Sequence, residues 1–223
     1  MKKPKIFIAC DTPSIKKIKK IITNSQNSQI NFGYKFGLEF LNSKNGRKFV
    51  SNLKKKVTFG DYKLADIPNT CASAIKAVKD LKLDYITIHI SSGLDALKVA
   101  KKFTGKTKLI GVTILTSLNN KSLKEIGFDK DVKKLVFHQA KLAAKAKLDG
   151  IVCSPHEIKI VRKVFKKEII TPGIRLRGDN KGDQKRIMTP KQALKYGATA
   201  LVMGRSLTGN IKKNIQKLIQ ELN

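Results

Sequence analysis

With 223 residues and 41% of them hydrophobic, spread through the chain in short runs, the sequence suits one domain and excludes a disordered polymer or a membrane span. Lys and Arg total 47 against 16 Asp and Glu, a formal charge of +31 that draws anions towards the surface. The excess is mostly lysine, scattered as in Lys16-Lys17, Lys54-Lys55-Lys56 and Lys166-Lys167 on amphipathic stretches; without arginine clusters or aromatic platforms, no nucleic-acid partner is expected.

In chain order, the first strand is predicted over Lys5–Cys10, and Asp11 ends its apolar run well short of a signal-peptide core, so a cytoplasmic protein is expected. Further short β-branched runs predict strands over Ile30–Lys35, Lys56–Asp61, Asp84–His89, Lys108–Leu115, Gly150–Ser154, Glu168–Pro172 and Thr199–Gly204. Between them, apolar residues at three- and four-residue steps predict helices, among them Leu38–Leu53, Asn69 to about Leu81 and Ser206–Leu222. The stretch Asn119–Lys147 is longer and leaves room for an extra turn. Eight such units predict a (β/α)8 TIM barrel, α/β in class, as a single domain over residues 1–223. The alternative, a doubly wound open sheet, usually carries a glycine-rich turn after its first strand, and Asp11-Thr12-Pro13-Ser14 is not one.

Cys10, Cys71 and Cys153 are odd in number and far apart, which fits a reducing compartment rather than a disulfide framework. Cys153-Ser154-Pro155-His156 lacks a second half-site and reads as a strand end followed by a helix start. His89, His138 and His156 offer no ligand cluster, so no metal site is expected.

In a barrel of this kind catalysis sits at the C-terminal ends of the strands, and the polar residues gather there. Asp11, Lys35, Asp61 with Lys63, His89, Thr116-Ser117, Pro172-Gly173-Ile174-Arg175 and Gly204-Arg205 all fall at or just beyond strand ends. Residues two apart on a strand point the same way, so Asp61 and Lys63 are expected to project together into the barrel mouth, with Asp66 in the turn beyond. A lysine among carboxylates keeps its proton, because opposite charges favour the ionised form; it then suits general-acid work or anchoring of an anion. Asn69 or Thr70 serves equally well as a helix cap or as a ligand contact. Gly173 and Gly204 let backbone N–H groups approach a phosphate, and Arg205 can fork onto its oxygens. The polar, glycine-rich Arg177 to Gln184 stretch has the character of a loop that closes over a ligand.

The run Asp61-Tyr62-Lys63-Leu64-Ala65-Asp66-Ile67-Pro68-Asn69-Thr70 resembles the signature of the orotidine 5′-phosphate decarboxylase family. Matches in the same order extend along the chain: Asp11, Tyr34-Lys35-Phe36-Gly37, Val112 to Ser117, Thr171 to Arg175, Gly178 to Arg186, and Met203-Gly204-Arg205. The resemblance implies cofactor-free decarboxylation of orotidine 5′-monophosphate. Lys63 would donate a proton to C6, Asp61 would lie against the departing carboxylate, and Lys35 with Asp66 would complete a charged tetrad. Asp11 and Lys35 would hold the ribose hydroxyls, Thr116 the pyrimidine edge, and Gln184, Arg205 and the Gly204 amide the phosphate, with Arg175 nearby. It also implies a homodimer in which Asp66, Ile67 and Thr70 reach the neighbouring site. Ala65 stands where many relatives carry histidine, outside the tetrad. Magnesium-dependent sugar-phosphate enzymes share Asp-x-Lys-x-x-Asp but place a glutamate where this chain has Lys35, and an ammonium there would repel a divalent cation.

Overall fold

A computed structural model describes residues 6–26, 29–179 and 187–222. Eight parallel strands close in sequence order into a barrel: β1 (Ile6–Ala9), β2 (Phe32–Phe36), β3 (Val57–Leu64), β4 (Tyr85–His89), β5 (Lys108–Val112), β6 (Gly150–Val152), β7 (Glu168–Thr171) and β8 (Ala200–Met203), with β8 paired back to β1. The closed order rules out the open doubly wound sheet. Around the barrel lie α1 (Ile15–Ser25), α2 (Leu38–Leu41), α3 (Gly46–Ser51), α4 (Pro68–Ala77), α5 (Gly93–Phe103), α6 (Asn120–Glu125), α7 (Val132–Lys145), α8 (Ile158–Val164), α9 (Pro190–Lys195), α10 (Arg205–Thr208) and α11 (Ile211–Leu222). No helix among the described residues is long and apolar enough to cross a membrane.

Strand alternation sorts the core into two layers. Ile6 and Ile8 face the helices, whereas Phe7 and Ala9 face inwards, joined there by Val57, Phe59, Tyr85, Ile110, Ile170, Ala200 and Val202. Three rings fill the barrel axis: Phe7 stands edge-on to Phe59 and to Tyr85 at 5.1 Å between centroids, and Phe59 meets Tyr85 at 5.6 Å. At the N-terminal mouth Lys108 Nζ binds Glu168 Oε1 at 2.6 Å, and the Tyr85 hydroxyl donates to Glu168 Oε2 at 3.3 Å. That end is plugged, which leaves the opposite end open.

Several expected boundaries moved for identifiable reasons. The helix expected over Leu38–Leu53 is interrupted at residues 42–45, and α3 restarts at Gly46, where a Cβ would sit 1.7 Å from the Phe40 carbonyl oxygen. The last helix is likewise divided, with Gly209 and Asn210 between α10 and α11. Strand β5 stops at Val112 instead of Leu115: Thr113 still donates to the Val152 carbonyl at 3.1 Å, after which Ile114 and Leu115 leave the ladder and line the open mouth. The expected extra turn after β5 is α6. Ser154 follows β6 and accepts from the His156 N–H at 3.3 Å, the expected strand end and helix start, and the three cysteines are buried free thiols.

Candidate active site

The open end of the barrel holds a cavity of about 1360 Å³. Its charged side is built by β1, β2 and β3. Lys35 lies on β2 level with Ala9 of β1 and Phe59 of β3, so it points inwards immediately beyond the aromatic layer. Asp61 continues the inward series Val57, Phe59, Asp61 on β3. Both charged side chains are buried, at 9% exposure each. Such groups need partners, because burial without them is costly. Lys35 Nζ lies 3.2 Å from Asp11 Oδ1 and 3.2 Å from Asp61 Oδ2, while Lys63 Nζ lies 2.8 Å from the same Asp61 oxygen. Gly37 leaves space for this row, since a Cβ there would stand 3.1 Å from Asp11 Oδ1.

Burial disfavours the charge on Asp61, but Lys35 and Lys63 outweigh it and hold the carboxyl below its ordinary pKa. Burial likewise opposes the Lys35 ammonium, and the pull of Asp61 and Asp11 overcomes it, so its pKa is raised. His89, ending β4, is held below its usual value by burial first and by Lys63 second, with Asp61 opposing. Burial, reinforced by Asp11, pushes the Cys10 thiol up to about 12, which leaves it un-ionised and inert as a nucleophile at neutral pH.

Asp61 and Lys63 meet as expected, but not along a regular strand. Gly60 pairs with Ile86 and Leu64 with Ile88, so residues 61–63 of β3 stand opposite Thr87 alone in β4. Lys63 takes a left-handed backbone at φ 49°, a conformation that costs a non-glycine residue about 1–2 kcal/mol. The bulge turns its ammonium onto Asp61. Thr87 was missed in the sequence, where a threonine inside an apolar strand reads as core; the inward alternation of Tyr85, Thr87 and His89 was the available signal.

The remaining expected residues divide into three groups. Asp11, Thr116, Arg175, Gly204 and Arg205 line the same cavity as Lys35, Asp61 and Lys63. Arg175 is buried, follows Gly173 (φ 79°), and its N–H donates to the Met188 carbonyl at 3.1 Å. Asp66 and Thr70 lie outside the cavity. Asp66 is exposed, with Oδ1 accepting from the Ile67 N–H at 2.7 Å, and it borders a separate shallow depression with Ser91 and Ser92. Thr70 is exposed on the first turn of α4; the cap position belongs to Ile67 and the first helical residue is Pro68, so neither Asn69 nor Thr70 caps that helix. Gln184 lies outside the described residues, as does the 180–186 stretch of the expected closing loop.

The cavity thus joins a buried lysine–aspartate row on one side to backbone and arginine groups suited to a phosphate on the other. A family profile described as "Orotidine 5'-phosphate decarboxylase / HUMPS family" matches residues 4–215. Among relatives, an orotidine 5'-phosphate decarboxylase of Prochlorococcus marinus (strain MIT 9215) is 41% identical, the alignment covering 94% of this chain and 91% of that protein. One from Wolbachia sp. subsp. Brugia malayi (strain TRS) is 45% identical over 83% of this chain and 84% of its own. The crystal structure of orotidine 5'-phosphate decarboxylase from Lactobacillus acidophilus superposes with a TM-score of 0.84 at 28% identity, covering 99% of this chain and all of that one. On the profile match, these identities and the shared barrel, the chain belongs to the orotidine 5′-phosphate decarboxylase / HUMPS family.

Proposed function

We propose that the chain decarboxylates orotidine 5′-monophosphate to uridine 5′-monophosphate in pyrimidine biosynthesis, as one cytoplasmic barrel domain, with no cofactor and no metal. The observation that carries this reading is the Lys35–Asp61–Lys63 row, held within 3.2 Å contacts on the wall of the cavity that Arg205 and Gly204 also line.

The reaction breaks the bond from C6 to the carboxylate and leaves the electron pair on a ring carbon. Without an electron-sink cofactor, a fixed ammonium must stabilise that charge as it develops. The Lys63 ammonium does this and delivers its proton to C6, recovering one from solvent after CO₂ leaves. Asp61 lies against the substrate carboxylate, a repulsion relieved on departure. Lys35 and Asp11 take the ribose hydroxyls and Thr116 the pyrimidine edge. Arg205, the Gly204 amide and Gln184 take the phosphate, with Arg175 beside them. Binding energy from that distant phosphate then goes into holding the carboxylate against Asp61, which raises turnover rather than only affinity.

Asp66 is the fourth member of the charged set, and in an isolated copy it stands outside the cavity. Ile67 beside it is 66% exposed, an apolar side chain suited to burial against another subunit. In the proposed homodimer Asp66, Ile67 and Thr70 of each copy reach the site of the other. A magnesium-dependent sugar-phosphate reaction fits the donor set poorly: Asp61 already accepts from two ammonium groups and a hydroxyl, so a cation would have to displace Lys35 or Lys63. Loss of orotidine monophosphate absorbance with purified protein tests the reading. Turnover that persists unchanged in EDTA is expected. No turnover, or turnover abolished by EDTA, would overturn it.

A further inference from the structure

We infer that Thr87 is a positioning residue for this site: its single hydroxyl fixes both the backbone that presents Lys63 and the carboxylate that Lys63 contacts. The inference rests on the decarboxylase reading and adds to it a residue outside the charged set.

Thr87 is fully buried at the middle of β4 and is the only residue of that strand opposite the three-residue bulge of β3. Its Oγ1 accepts from the Lys63 N–H at 2.7 Å and donates to Asp61 Oδ1 at 3.1 Å. A hydroxyl has one proton to give, so accepting from the amide leaves that proton for the carboxylate, and the two bonds fix its orientation. The other Asp61 oxygen is taken by Lys35 and Lys63 at 3.2 and 2.8 Å. The carboxylate is therefore held at both oxygens and cannot swing about its χ2 axis towards or away from a substrate. Meanwhile the left-handed backbone at Lys63 is kept because surrounding contacts over-determine it, and the Thr87 bond is the one made by its amide. One hydroxyl thus couples the geometry of proton donor and acid, at a place where the ionic partners of Asp61 among the described residues are two flexible lysines. Valine has the same shape without donor or acceptor; serine keeps the hydroxyl and loses only a methyl group.

Thr87→Val, Thr87→Ser and parent are compared in steady-state turnover of orotidine monophosphate, with uridine monophosphate binding measured alongside. Because misplacement of reacting groups by about an ångström costs on the order of 100-fold, we expect Thr87→Val to lower kcat by roughly 10- to 100-fold. Since Thr87 does not line the cavity, KM and product affinity should stay within about threefold, and Thr87→Ser should retain kcat within about threefold. If Thr87→Val does not fold, Thr87→Cys keeps the volume with only a weak donor and acceptor, and its kcat should fall by at least about fivefold. A valine or cysteine variant with parental kcat, or a serine variant as impaired as valine, would overturn the assignment while leaving the decarboxylase reading intact. A parent protein without turnover would overturn the decarboxylase reading and this assignment with it.

Discussion

Asp61 is the most constrained residue of the site, accepting from Lys35, Lys63 and Thr87 at 3.2, 2.8 and 3.1 Å. Its folded pKa lies below the ordinary value of 3.8, so as pH falls the unfolded chain takes up this proton first. The stability it contributes is present above about pH 3.8 and is lost as pH drops through the lower folded value. Thermal melts of Asp61→Asn should accordingly show a shallower acid limb below about pH 4, and a loss at neutral pH of roughly 1–3 kcal/mol from leaving Lys63 without its acid and Lys35 with Asp11 alone. An acid limb as steep as the parent's would mean that Asp61 is not held ionised by its neighbours. Asp61, Lys63 and Lys35 could be read from the sequence because polar residues gathered at the C-terminal ends of barrel strands mark the catalytic face, whereas charges at the opposite ends, such as Lys108 and Glu168, serve stability. Thr87 could not, since its role depends on a bulge that pairs three β3 residues with one of β4. Spacing put Asp66 only in the turn beyond Lys63, where a bulge leaves no fixed direction; its place in the charged set came from the family resemblance, and in a single copy it lines the shallow depression outside the cavity.

Among elements, the interruption between α2 and α3 shows where periodicity misleads. Apolar residues at helical steps run from Leu38 to Leu53, and the pattern is satisfied by two short helices packed on the barrel through Phe40, Leu41 and Val50. What divides them is local: Asn42, Ser43 and Asn45 favour turns, the Ser43 hydroxyl donates to the Phe40 carbonyl at 2.7 Å, and Gly46 approaches that same carbonyl. Gly46→Ala should destabilise the protein by about 1–3 kcal/mol in urea unfolding, because a Cβ cannot displace backbone as readily as it would a side chain. Unchanged stability would indicate that the chain bends freely there. Strand order and closure, by contrast, followed from eight short apolar runs separated by helical stretches, because right-handed crossovers leave few other arrangements.

For the molecule as a whole, the charge of +31 acts in two opposed directions. It favours the approach of an anionic nucleotide to the cavity, and it repels itself across a fold with 47 Lys and Arg against 16 Asp and Glu. Raising ionic strength from about 0.01 M to 0.15 M shortens the screening length from about 30 to 8 Å, so Tm should rise while KM for orotidine monophosphate also rises. A fall in Tm would remove the self-repulsion, and a KM that does not move would remove the steering. The central claim concerns one ammonium at the barrel mouth, and steady-state turnover of orotidine monophosphate by Lys63→Ala tests it most directly. Loss of both charge stabilisation and the proton donor predicts a kcat/KM at least about 10⁴-fold below the parent, with fold and phosphate binding retained. A variant within about tenfold of the parent would contradict the account, since that is less than a single general acid ordinarily contributes.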